Sequence, residues 1–260
     1  WRIVAPRLHR HSRALAHLRL ALPELDDAER ERIARDMWEH LGRVTAEALF
    51  IDRLLAEPER VELCETFGAV TAAARHGAIL ATPHLGNWEV APIGPRIAGL
   101  DLAAVYQPIR NPLVERHLKA VRAPAYPAGL YPKGASTGRR LIKLAKAGGA
   151  IGLVADIREN RGIEITFFGE PATATPMPAL LARLGDVPLV AGAMVRTSGV
   201  RFRYLAEIVP VPVTDDRDRD VRIGTQRLHD VFERWIRAHP EQWMWAHRKW
   251  VATARGPLEP

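Results

Sequence analysis

A chain of 260 residues, 47 % of them hydrophobic, is long enough for one sizeable α/β domain that buries most of its unfolded surface. Its one cysteine, Cys64, excludes an internal disulfide and a cysteine zinc cluster, and a reducing compartment fits best. The net charge of +7 and the pI near 10 serve solubility or call for an anionic partner: nucleic acid, an acidic carrier protein or an anionic membrane surface. The chain shows no zinc-finger spacing and no RNP-like aromatic block, which argues against nucleic acid.

Residues 1–76 read as helical. From Trp1 to Leu22, arginines 2, 7, 10, 13 and 19 alternate with Ile3, Val4, Leu8, Leu15, Leu18 and Leu20. That basic amphipathic composition suits a membrane-surface helix or a helix packed on the domain. Asp26 or Asp27 can cap the next helix, whose Ile33, Met37, Leu41 and Val44 form a core stripe running to Phe50. Cys64 falls in a further predicted helix. There is no apolar stretch of about 18 residues and no signal peptide. The chain begins at Trp1, not Met, as a truncated or processed protein would.

From Gly77 short apolar runs alternate with helical segments. Strands are expected over Ala78–Thr82, Ala103–Tyr106, Ala150–Ala155, Pro188–Val195 and Phe202–Ile208. Helices are expected over Trp88–Ile97, Pro112–Val121, Ser136–Ala147, Pro178–Leu184 and Val221–Ala238, with Asp215 to Asp220 a charged, solvated loop. This alternation predicts an α/β sandwich with a mostly parallel central sheet, a single domain over 1–260 with a helical part (1–76) and an α/β part (77–260).

The chemistry concentrates where the first of these strands ends, at Thr82-Pro83-His84-Leu85-Gly86-Asn87-Trp88-Glu89. Histidine titrates nearest neutrality and is the usual general base, and a carboxylate beside it fixes its tautomer and stabilises the imidazolium. Five residues apart on one helix, His84 and Glu89 would lie roughly 140° from each other. Their pairing therefore requires His84 on a turn, shaped by Pro83 and Gly86, and Glu89 inside the following helix. Free N–H groups near Gly86 and Asn87, or an arginine, would then hold an oxyanion. Asp156 ends the apolar run Ala150–Ala155, either capping a loop or sitting where open α/β sheets place their sites.

His-Leu-Gly-Asn-Trp-Glu after a strand resembles the signature of the lipid A late acyltransferases, bacterial membrane-associated enzymes that add a secondary fatty acyl chain to a lipid A precursor. Further matching blocks are Tyr106-Gln107-Pro108 with Asn111-Pro112, Asp156, Phe167-Phe168-Gly169, Ala172-Thr173, Leu181-Ala182-Arg183 and the closing segment from His239 to Arg248. The likeness runs from about Leu18 to Trp250, and phosphatidylinositol mannoside acyltransferases of actinobacteria share the blocks. It implies a glycerolipid-acyltransferase-like sandwich performing O-acyl transfer from acyl carrier protein or acyl-CoA, with no metal or further cofactor, to a hydroxyl of a lipid A precursor or related glycolipid. The expected location is the cytoplasmic face of the bacterial inner membrane, peripheral or anchored by an N-terminal helix that the family usually carries ahead of this point.

On this resemblance His84 is the base, Glu89 the carboxylate that orients it and Asp156 a third catalytic residue, although Asp156-Ile157 departs from the family's Asp-Gln. Asn87, Arg110, Arg158, Glu164 and Phe168 are candidate substrate-binding residues. The arginines suit phosphate, and Glu164 is a counterpart of an acidic residue in the mannoside relatives. Phe168 with Phe167 either lines an acyl groove or packs a hairpin. Trp243, Trp245 and Trp250 either lie at a membrane interface or dock a C-terminal helix. Other acceptors (a mannoside, an ornithine lipid, a lysophospholipid) and a catalytically silent lipid-binding protein of the same fold are the alternatives.

Overall fold

Helical spacing of apolar residues builds the N-terminal part of the computed structural model, which describes residues 1–250, 252–253 and 256–257. Helices α1 (His9–Ala21) and α2 (Asp27–Glu47) pack together and bury Ala14, Leu18, Ile33, Met37 and Trp38. Asp26 caps α2 by accepting a hydrogen bond from the Glu29 N–H at 2.7 Å. Of the two readings of the first basic segment, α1 shows packing on the domain. Pro6 opens a separate 3₁₀ turn ahead of it, where Trp1, Ile3, Val4 and Leu8 stay exposed.

After α3 (Ile51–Leu55) comes a departure from expectation. Val61–Leu63 is a strand, β1, so the first 76 residues are not all helical, and Cys64 follows that strand instead of lying in a helix. Then come α4 (Phe67–Ala74), β2 (Ala78–Thr82), α5 (Ile93–Ile97), β3 (Leu102–Tyr106), α6 (Pro112–Arg122), β4 (Gly129–Pro132), α7 (Ala135–Lys146) and β5 (Ala150–Val154). A hairpin of β6 (Ile163–Phe167) and β7 (Glu170–Ala174) precedes α8 (Met177–Gly185), β8 (Leu189–Ser198), β9 (Arg201–Val209) and α9 (Arg217–Ala238). Two short strands, β10 (Ala252–Thr253) and β11 (Gly256–Pro257), pair at the end. The expected solvated loop at Asp215 to Asp220 is exposed as far as Arg219, but from Arg217 on it is the first turn of α9. Asp216 caps it, and Asp220 is buried against Thr214 and Arg183.

The central sheet runs β1-β9-β8-β2-β5-β3-β4; β8, β2, β5, β3 and β4 are parallel, and β9 turns back antiparallel to β8. Strands covered on both faces read as continuous apolar runs, not as alternations, which is why β2, β3 and β5 were plain in the sequence. Ile79 and Ala81 enter the core shared with Leu181 and Phe232, while Ala78 and Leu80 enter the one shared with Ile93 and Tyr204. No helix among the described residues is long and apolar enough to cross a membrane.

Candidate active site

Parallel pairing of β2 with β5, with Thr82 opposite Val154, makes the chain leave both strands at the same end of the sheet. Pro83 carries it on to His84, and Ala155 carries it on to Asp156. The Asp156 Oδ1 lies 2.7 Å from His84 Nδ1. Its Oδ2 accepts the His84 backbone N–H at 2.8 Å and the Trp243 indole N–H at 2.8 Å. Burial pushes the Asp156 carboxyl up, but the charge and hydrogen bond of His84, with His247 and the Trp243 indole, outweigh it and hold the group well below the usual carboxylate range. An ionised Asp156 can only accept, so Nδ1 of His84 is the ring nitrogen that donates to it, which leaves Nε2 outside the pair.

The carboxylate on His84 is therefore Asp156, 72 residues away, and not Glu89. Glu89 makes a two-pronged ion pair with Arg122 at the C-terminal end of α6. It also lies outside any helix. The Asn87 side chain accepts the Glu89 N–H at 3.1 Å and shapes a turn, Pro92 stands at the N-cap of the next helix, and only Ile93–Ile97 is helical. The expected oxyanion donors are also occupied. Gly86 N–H bonds to the Gln242 carbonyl at 3.0 Å and Asn87 N–H to the Met194 carbonyl at 2.7 Å. Gly86 adopts φ +62°, and a Cβ there would come within 1.9 Å of the Met194 oxygen, so only glycine fits.

Asn87 is likewise engaged within the protein. Its Nδ2 donates to Glu47 at 2.6 Å, and the same carboxylate takes both arms of Arg196 from β8, tying α2, the motif turn and the sheet together. Phe168 is buried and lines no groove. It occupies, with Gly169, the two-residue turn of the β6–β7 hairpin at φ +56°, a left-handed conformation unusual for a bulky residue. Its ring packs on Trp243, Trp245 and Trp250 with the Arg237 guanidinium over it. These tryptophans are buried, so neither a membrane belt nor a docked C-terminal helix describes them; residues 243–250 form an irregular strap. Arg110, Arg158 and Glu164 are exposed, and the hydrogen-bond and ring contacts of the His84 side chain go to Asp156, Trp88 and His247.

His247 and Trp243 are parts of the site that the sequence reading did not assign, although both lie in the closing block it quoted. The His247 ring sits 4.6 Å from that of His84. Burial and then the His84 charge lower His247 to about 4, so it is neutral near pH 7. Beside His84 the Trp88 ring, 5.0 Å away, forms the edge of a small apolar groove of about 60 Å³. Leu80, Gly152 and Ala104 stand in one row across the sheet and make its floor, and Ala91, Pro92 and Pro95 face them. Gly152 and Gly192 open the space, and Tyr204 closes it. No group of three His, Cys, Asp or Glu among the described residues is arranged to hold a metal.

Fold and site together define an α/β sandwich with a carboxylate-buttressed histidine packed on a tryptophan that lines an apolar groove. The chain belongs to the bacterial lipid A biosynthesis acyltransferase family, whose profile matches residues 2–252. It is similar to the phosphatidylinositol mannoside acyltransferases of Mycobacterium tuberculosis strains CDC 1551 / Oshkosh and ATCC 25618 / H37Rv, each 30 % identical over 204 residues. The match takes in 69 % of this chain and 56 % of each relative, so the chain spans about half the length of the curated relatives it matches.

Proposed function

We propose that this chain transfers a fatty acyl group from a thioester, carried by an acyl carrier protein or coenzyme A, to a hydroxyl of a lipid A precursor or related membrane glycolipid. His84 Nε2 takes the hydroxyl proton as the acceptor oxygen attacks the thioester carbonyl. The C–S bond then breaks, and the thiolate leaves with the proton held on Nε2. Asp156 stays ionised throughout and stabilises the imidazolium formed between the two steps. Trp88 brings the acyl chain past His84 into the groove, where its methylenes leave water. An arginine is the remaining candidate for the oxyanion.

The observation that carries this reading is the His84–Asp156 pair, with the His84 ring packed on Trp88, a wall of the apolar groove. The net charge of +7 favours work at an anionic membrane surface, here the cytoplasmic face of a bacterial inner membrane, and an acidic carrier or phosphorylated acceptor. A mannoside acceptor is the second reading, favoured by the name of the two relatives. Radiolabelled acyl thioester supplied with a lipid A precursor or with a phosphatidylinositol mannoside tests both. Label is expected in one glycolipid; lipid binding without transfer to either would favour the catalytically silent reading.

A further inference from the structure

Against Phe167, whose ring packs on Trp243, lies a lysine that the proposed reaction does not use. Lys249, on the strap that also supplies Trp243, is 1 % exposed. Its Nζ makes one long hydrogen bond, to the Thr173 carbonyl at 3.5 Å, and lies 5.0 Å from the centre of the Phe167 ring. It has no carboxylate within ion-pair distance among the described residues, an expensive state for a buried ammonium. The wall around it is aromatic, and Phe167 in turn meets the ring of Trp243, whose N–H holds Asp156. On the same side Thr173 Oγ1 is buried with no hydrogen-bond partner among the described residues. A long stem ending in a charge, folded inward where an apolar side chain would fit, needs an electrostatic reason.

We infer that Lys249 is a positioning residue, a buried cation packed on the Phe167–Trp243 wall that holds Asp156, and that its charge sets the pH at which His84 acts as a base. Burial lowers the ammonium to about 8 while Asp156 pulls it upward, which leaves it charged at neutral pH. The other titratable groups facing this space are His84 and His247 beside Asp156, His229, Glu233 and Arg237 from α9, and His17 from α1. His229 is held neutral by burial and by the lysine itself, at about 3, so it brings no competing charge. Glu233 is committed to Arg237 and the Phe168 N–H. Removing the cation makes the surroundings of His84 more negative and favours imidazolium.

The inference rests on His84 as base, and its tests include readouts that need no turnover. Lys249→Met keeps the apolar stem and removes the charge. Its His84 ring, followed by ¹⁵N-histidine NMR, should titrate at a pH higher by about half a unit or more, and the acidic limb of the rate profile should move with it. A folded variant with an unmoved His84 titration would overturn the proposal, whatever happened to its melting temperature. The reciprocal test leaves Lys249 in place. In protein labelled with ¹³C at the lysine ε-carbon, Asp156→Asn should lower the titration midpoint of Lys249, while the exposed Lys119, Lys133, Lys143 and Lys146 stay put. A Lys249 midpoint unchanged by loss of the Asp156 charge refutes the coupling. Failure of transfer with these NMR shifts present would count against the acyltransferase reading alone.

Discussion

Both oxygens of the Glu89 carboxylate are engaged by the Arg122 guanidinium, so Glu89 ties the motif turn to the end of α6 and leaves His84 to Asp156. The pair is largely buried. Breaking it by Glu89→Gln or Arg122→Met alone should cost about 3–5 kcal/mol, because each single change strands the other partner. The double variant should cost clearly less than the sum. Urea unfolding of the four proteins checks this; additive losses would show that the two side chains act independently.

Asp156→Asn should lower kcat by about 10²–10⁴-fold, since an amide cannot stabilise the imidazolium and can turn its NH₂ toward Nδ1, forcing the wrong tautomer. Glu89→Gln, assayed where the protein is folded, should keep the parental pH dependence. A rate profile moved by Glu89→Gln and not by Asp156→Asn would reverse the two assignments.

Stability should fall as the solution is acidified below neutrality. His229 and His247 are held by burial at about 3 and about 4, against 6.5 when unfolded. Between those limits the unfolded chain binds protons that the folded chain refuses, so each site should contribute a loss of about 1.4 kcal/mol per pH unit as pH falls. Asp156 acts in the same direction: its contribution is complete above about pH 4 and is lost as pH falls further, toward its lowered folded value. Urea midpoints at pH 7.5, 6 and 5 should show a shallower slope in His247→Gln than in the parent; identical slopes would contradict neutral burial of His247.

The groove should measure the acyl chain. A Cβ at Gly152 would meet Leu102 Cδ2 at 3.3 Å, which a small side-chain shift relieves, so Gly152→Val should fold with its methyl groups filling the groove floor. Turnover of long acyl thioesters should fall by roughly tenfold or more while shorter chains are spared, as expected when a few methylenes lose their place. An unchanged chain-length profile in the folded variant would mean that the acyl chain lies elsewhere.

Local signals carried much of this structure. The apolar runs at Ala78, Leu102 and Ala150 are strands because both of their faces are covered. The stripe from Ile33 to Val44 is α2, capped by Asp26. β1 and β4 are short, and a segment such as Gly129-Leu130-Tyr131-Pro132 has no periodicity to read. The segment from Trp88 to Ile97 is apolar enough to read as one helix, but the Asn87 side chain shapes a turn and the helix starts only after Pro92.

The site was legible as a set of residues and not as a set of partners. His84 and Glu89 are neighbours in sequence, whereas the true neighbour of His84 arrives through a crossover that places β5 beside β2. Trp243 and His247 come from the far end of the chain. Tryptophans near a C-terminus in a basic chain suit a membrane interface as well as a core, and only the hairpin turn at Phe168, which covers them, decides for the core.

The central claim is that His84, set by Asp156, is the base for acyl transfer. The most direct measurement is turnover of acyl thioester and glycolipid acceptor by His84→Ala, with its fold checked by unfolding and its acyl binding by titration of a nonhydrolysable thioester analogue. The variant is expected to fold, to bind the acyl chain still and to transfer it at about a hundredth of the parental rate or less. Transfer at more than about a tenth of the parental rate would contradict it, because general-base catalysis supplies at least about a hundredfold.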